Sequence, residues 1–151
     1  MLQPDLRHDY EQGNLPFNVW CEWPQPLLYE LSDGRFQLMD RTPPSPFMAG
    51  PQYLLVERAL ADFLREQGLD RVRLEPAVLF DRATGAEHRD HLRVRIGQFF
   101  TADQIHDLAI DGPRLMTLND EYCFVSEMLM LRLKAAGFPY LQFSLGLSQF
   151  G

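Results

Sequence analysis

The chain has 151 residues, of which 46% are hydrophobic and 23% charged, with a net charge of −7 and a pI near 5.0. That length and balance fit one globular domain and exclude a disordered polymer. An acidic protein is repelled by phosphate backbones, which sets aside nucleic acid and anionic membranes and leaves a basic protein as the favoured partner.

Near the start, Phe17-Asn18-Val19-Trp20 reads as a short strand, with Pro24 and Pro26 stopping regular structure after it. Residues 27–31 and 35–39, joined by Ser32-Asp33-Gly34, read as a β-hairpin, because the Asp-Gly step supplies the positive φ of a tight turn. Residues 42–51 hold four prolines in ten positions, a composition that predicts a loop between a β-rich part (1–50) and a second part (51–151).

The second part repeats itself. Shifted by 69 positions without a gap, Tyr53 matches Tyr122, Val56 matches Val125, Leu60 matches Leu129, Leu64 matches Leu133 and Gly68 matches Gly137. Each copy predicts strand, helix, strand. The helical apolar residues are Ala59, Leu60, Phe63 and Leu64 in one copy and Met128, Leu129 and Leu133 in the other. Ser126 is placed to cap the second helix, and Gly68 and Gly137 fall at the helix C-termini. Val72 and Leu74, or Leu141 and Phe143, then alternate as a strand. Between the copies, residues 76–81 continue a strand past a kink and residues 81–85 turn. Residues 91–96 predict a strand with one wet face, and residues 101–109 a short helix capped by Thr101. The expected fold is therefore α+β: one domain, 1–151, with strand–helix–strand repeats at about 53–76 and 122–145, an N-terminal β-hairpin region and a mixed or antiparallel sheet.

Candidate chemistry is sparse. His88 and His91 are three apart with Asp90 between them, the wrong spacing for a zinc helix, and read as solvated turn histidines. Asp103, His106, Asp107 and Asp111 form a cluster whose three aspartates would stack on one face of a helix. A solvated acidic face is the first reading, the surface for a partner the second, and a metal-dependent or hydrolytic site the third. Asp120 and Glu121 precede the second copy without a sequence-local acid–base partner. Cys21 and Cys123 have no zinc-type spacing and read as reduced core thiols. Trp20, Trp23, Phe99 and Phe100 could stack on a ligand, although core or interface packing is the commoner use of such rings. No nucleophile elbow and no phosphate-cradling glycine loop is present, so neither catalytic residues, metal nor cofactor are expected.

The chain does carry a family likeness. Leu55-Val56-Glu57-Arg58-Ala59-Leu60 with Phe63-Leu64, the run from Val72 to Asp81, and Phe124-Val125-Ser126-Glu127-Met128-Leu129 with Gly137 and Leu141-Gln142-Phe143 resemble bacterial immunity proteins of polymorphic toxin systems, family eleven and its family forty-three-like relatives. The likeness runs over residues 53–143. It implies a protein that binds and neutralises a cognate secreted toxin, with no shared catalytic residues to carry over. Residues 1–9 contain no apolar stretch of signal-peptide type, and no run approaches the ~18 apolar residues of a membrane span. The expected compartment is therefore the cytoplasm, with a toxin that acts there. The contact residues expected from the acidic balance are Asp103, Asp107, Asp111, Asp120 and Glu121, and homodimer formation is left open. The rival readings are a small enzyme built on Asp103, His106, Asp107 and Asp111, and a structural adaptor.

Overall fold

The computed structural model describes residues 15–150. In chain order the elements are β1 (Phe17–Cys21), β2 (Leu28–Glu30), β3 (Phe36–Leu38), β4 (Phe47–Gly50), β5 (Tyr53–Glu57), α1 (Arg58–Arg65), β6 (Val72–Phe80), β7 (Glu87–Ile96) and β8 (Phe99–Phe100). They continue with β9 (Leu115–Leu118), β10 (Tyr122–Val125), α2 (Glu127–Ala136) and β11 (Leu141–Leu145). The fold is α+β. The strands form two sheets, one in the order β11-β1-β10-β9-β8 and the other β2-β3-β6-β7-β5-β4.

The internal repeat extends further than the sequence alone indicates. Each copy is a hairpin, a helix and a strand: β4-β5-α1-β6 and β9-β10-α2-β11. In both copies the strand after the helix fails to pair with the strand before it, because one further strand lies between them. That strand is β7 in the first copy and β1 in the second. The registers agree residue by residue. Val56 faces Leu92 and Val72 faces Ile96 in one sheet, while Val125 faces Phe17 and Leu141 faces Cys21 in the other. The central strand follows its copy in the first case and precedes it in the second.

Residues 42–51 are therefore more than a loop. Pro43, Pro44 and Pro46 all precede β4, and Pro51 sits in the β4–β5 turn, so Phe47–Gly50 keeps every N–H the ladder needs. β4 packs against β5 as β9 packs against β10.

Period-two alternation turns one face of each sheet inward. Leu54, Val56, Leu92 and Val94 meet Val19, Cys21, Cys123 and Val125 in a core that also takes Leu60 and Leu64 of α1 and Leu129 and Leu133 of α2. Each such buried aliphatic side chain contributes about 1.5–3 kcal/mol. Ser126 caps α2 by accepting from the Leu129 N–H. Gly137 closes that helix in the left-handed region at φ 83°, where a Cβ would be strained. The first copy differs: α1 ends at Arg65 with Glu66 as its cap, and Gly68, at φ 68°, lies in the turn beyond.

The outer faces have their own clusters. In the first copy Met48 and Leu55 pack with Phe36, Ala77 and Leu79. The ladder between β6 and β7 breaks register between Ala77 and Leu79, just after Pro76, and the bent end of β6 takes β3 as a parallel neighbour. This brings the β2–β3 hairpin back over the outer face of β5 and β7. Arg93 is consequently buried, donating to the Glu30 carboxylate at 2.8 Å and to the Gln52 carbonyl at 2.8 Å. The expected wet face of residues 91–96 is covered along His91–Val94 for this reason. In the second copy the counterparts Met116 and Phe124 are covered by Ile105, Leu108 and Ile110 instead.

Candidate functional site

β8 runs parallel to β9, so the chain must cross back from one end of β9 to the other before entering it. Residues 101–110 make that crossing. The expected helix is present only as a 3-10 turn over Ala102–Gln104, with the Gln104 side chain accepting from the Thr101 N–H at 3.0 Å. Ile105, Leu108 and Ile110 all cover the sheet, and spacings of three and then two do not lie on one helical face. Without a helix, the predicted stacking of Asp103, Asp107 and Asp111 does not arise. Among the described residues no three His, Cys, Asp or Glu side chains converge to hold a metal ion.

What the crossing and the turn after β9 produce is a series of exposed acids. Asp103, Asp107, Asp111 and Asp120 are exposed and Glu121 is half-buried. Asp103 accepts a hydrogen bond from the Thr101 hydroxyl. The Asn119 N–H donates to the Phe100 carbonyl at 3.4 Å, which sets the β9–β10 turn beside the start of the crossing. In that turn Asn119 and Asp120 both take positive φ, and the Asp120 carbonyl accepts from the Gln52 N–H at 2.7 Å. The matching turns of the two copies are thereby joined. Residues 97–126 hold five carboxylates and one arginine, so they carry four of the seven net negative charges.

None of these five carboxylates has an ion-pair partner among the described residues. The β2–β7 side of the molecule is different. There Glu75 lies against Arg95 and Arg73, and Glu87 against Arg89 and Arg35. The Arg95 guanidinium holds the Glu75 carboxyl below the usual carboxylate range, and Arg89 does the same for Glu87.

Aromatic surface adjoins Asp120 and Glu121. Phe99 is 59% exposed, Phe150 40% and Tyr122 38%. The turn carrying Asp120, Glu121 and Tyr122 is a ridge between two recesses. One, of about 140 Å³, is lined by Tyr53, Arg93, Arg95, Phe99 and both acids. The other, of about 370 Å³, is lined by Trp20, Phe47, Glu121, Tyr122 and Phe150.

Of the rings singled out in the sequence, Phe100 is core, Phe99 is exposed, and Trp23 packs on Tyr140 with ring centroids 5.4 Å apart. The sequence pattern does not single out Tyr122 or Phe150 as surface rings. Its one available signal is that Tyr122 opens an apolar strand at a turn, where a ring has solvent on one side. His88 and His91 both lie within β7, and His91 is buried rather than solvated. Its Nε2 donates to the Ser45 carbonyl at 2.8 Å, while Nδ1 has no partner among the described residues. Cys21 and Cys123 are buried free thiols. No helix among the described residues is long and apolar enough to cross a membrane. Compared with protein-family models, curated proteins and solved structures, the chain matches none.

Proposed function

We propose that this protein is an immunity protein that binds a cognate secreted antibacterial toxin acting in the cytoplasm and neutralises it by direct occlusion. The carrying observation is the run Asp103, Asp107, Asp111, Asp120 and Glu121, five carboxylates with no ion pair among the described residues, with Phe99 and Tyr122 exposed next to it in the chain. Unpaired charge of one sign repels itself and adds nothing to folding, yet it steers and orients a basic partner during encounter. The neighbouring rings supply the kind of anchor that carries binding energy once water is excluded. The resemblance over residues 53–143 supports the class of partner, and the acidic balance suits a basic toxin domain.

The test is co-expression with the product of the adjacent gene, followed by growth rescue and co-elution. A stable complex is expected, with an association rate that falls with added salt and drops on the order of tenfold in Asp103→Lys/Asp107→Lys. Absence of both complex and rescue overturns the proposal.

A further inference from the structure

Both recesses beside the 119–122 ridge take lining residues from the two copies, and the strand registers relate the one at Trp20 and Tyr122 to the outer face of the first copy. Carrying the strand registers across, Tyr122 corresponds to Tyr53, Asn18 to Arg93 and Trp20 to Arg95. In the turn before each tyrosine, Glu121 corresponds to Gln52. In the first copy Tyr53 packs against Phe36 with centroids 5.4 Å apart, and the Arg93 guanidinium lies 5.2 Å from the Phe36 ring centroid while bonded to the Glu30 carboxylate. That copy contains a complete cation site: aromatic pair, carboxylate and cation. In the second copy Tyr122 packs edge-on against Phe150 with centroids 4.8 Å apart, and Glu121 lines the same recess. The aromatic pair and a carboxylate are there, and among the described residues no Lys or Arg lines the recess.

We propose that the recess lined by Trp20, Tyr122, Phe150 and Glu121 receives a lysine or arginine side chain of the protein partner, held against the aromatic rings with Glu121 as counter-charge. The site is ordered in advance. The Trp20 indole N–H donates to the Ser144 hydroxyl at 3.1 Å, and Phe150 also stacks on Phe124 at 21° between ring planes, with centroids 5.9 Å apart. Glu121 has no ion pair among the described residues to give up. A flat guanidinium matches these faces better than a purely apolar group, because an apolar occupant would leave Glu121 desolvated and unpaired.

The probes are N-acetylarginine methylamide and its neutral isostere N-acetylcitrulline methylamide, followed by NMR at the Trp20 indole N–H of the full chain. A saturable shift with the arginine probe is expected, absent with citrulline and weakened about tenfold in Glu121→Gln and Tyr122→Leu, each checked for folding by circular dichroism. An equal response to citrulline, an unchanged response in Glu121→Gln, or no saturable shift overturns the proposal. The identity of the partner rests on the immunity reading, and the two fail separately. A toxin complex that Glu121→Gln and Tyr122→Leu leave undiminished removes the cation site and keeps the immunity reading. Arginine binding in a protein that neither binds nor rescues from the adjacent gene's product does the reverse.

Discussion

Glu57 and Ser126 hold the same place in the two copies, and only Ser126 caps its helix. The backbone N–H groups behave alike, Glu57 donating to the Pro46 carbonyl at 2.8 Å and Ser126 to the Arg114 carbonyl at 3.0 Å. The side chains diverge. The Ser126 hydroxyl accepts from the Arg114 N–H at 2.9 Å and the Leu129 N–H, and donates to the Gly112 carbonyl at 2.6 Å. The Glu57 carboxylate turns away from α1 and accepts from the Tyr140 phenol. Ser126→Ala removes a cap and orphans groups in a fully buried place, and is expected to cost about 2 kcal/mol. Urea denaturation measures it.

The symmetry of the core makes a paired prediction. Leu60 and Leu129 are 2% and 0% exposed, occupy matching helix positions and share one cluster. Leu60→Ala and Leu129→Ala should each cost about 3 kcal/mol and agree to within about 1 kcal/mol. A large disparity in their denaturation midpoints would show that the two copies do not bear the core equally.

The Glu30–Arg93 pair is asymmetric. The Arg93 side chain is 8% exposed and that of Glu30 40%. Removing Arg93 leaves a carboxylate that water can reach, whereas removing Glu30 leaves a buried guanidinium with the Gln52 carbonyl as its remaining hydrogen-bond partner. Glu30→Ala is therefore expected to cost about 2–3 kcal/mol and Arg93→Met about 1 kcal/mol. The reverse order in thermal melts would contradict this account of how the β2–β3 hairpin is held.

Alkaline pH should weaken the fold. Burial raises the Tyr140 phenol above its ordinary value, with the Glu57 carboxylate adding to the effect, and burial alone raises Tyr53. The unfolded chain ionises these groups near pH 10, so above that pH it holds fewer protons than the folded chain. The stability they contribute is complete below about pH 10 and is lost as pH rises further. Ultraviolet titration of the folded protein should show two late phenols, one missing in Tyr140→Phe and the other in Tyr53→Phe.

Where structure is set by near neighbours, the sequence was readable. The hairpin at residues 27–39 forms with Gly34 at φ 92°, the Ser126 cap and Gly137 terminus of α2 are in place, and the kink after Pro76 is a register break. Each follows from interactions spanning a few residues. The acidic residues at 103–121 are legible as a surface, but their geometry is not. The spacing predicts a helix from Thr101 onward, whereas the need to cover Met116 and Phe124 pulls Ile105, Leu108 and Ile110 into an irregular crossing.

The chain alone determined that two related strand–helix–strand units exist, because hydrophobic period and capping chemistry are local and survive in the letters. Only the tertiary structure decided that each unit is completed by a strand from outside it, β7 for one and β1 for the other. It likewise decided that Arg93 lies over Phe36 in one copy while Trp20, Tyr122 and Phe150 line a recess in the other. Strand pairing depends on matching backbone edges and burying faces across long separations, and those conditions are met only when the whole chain packs.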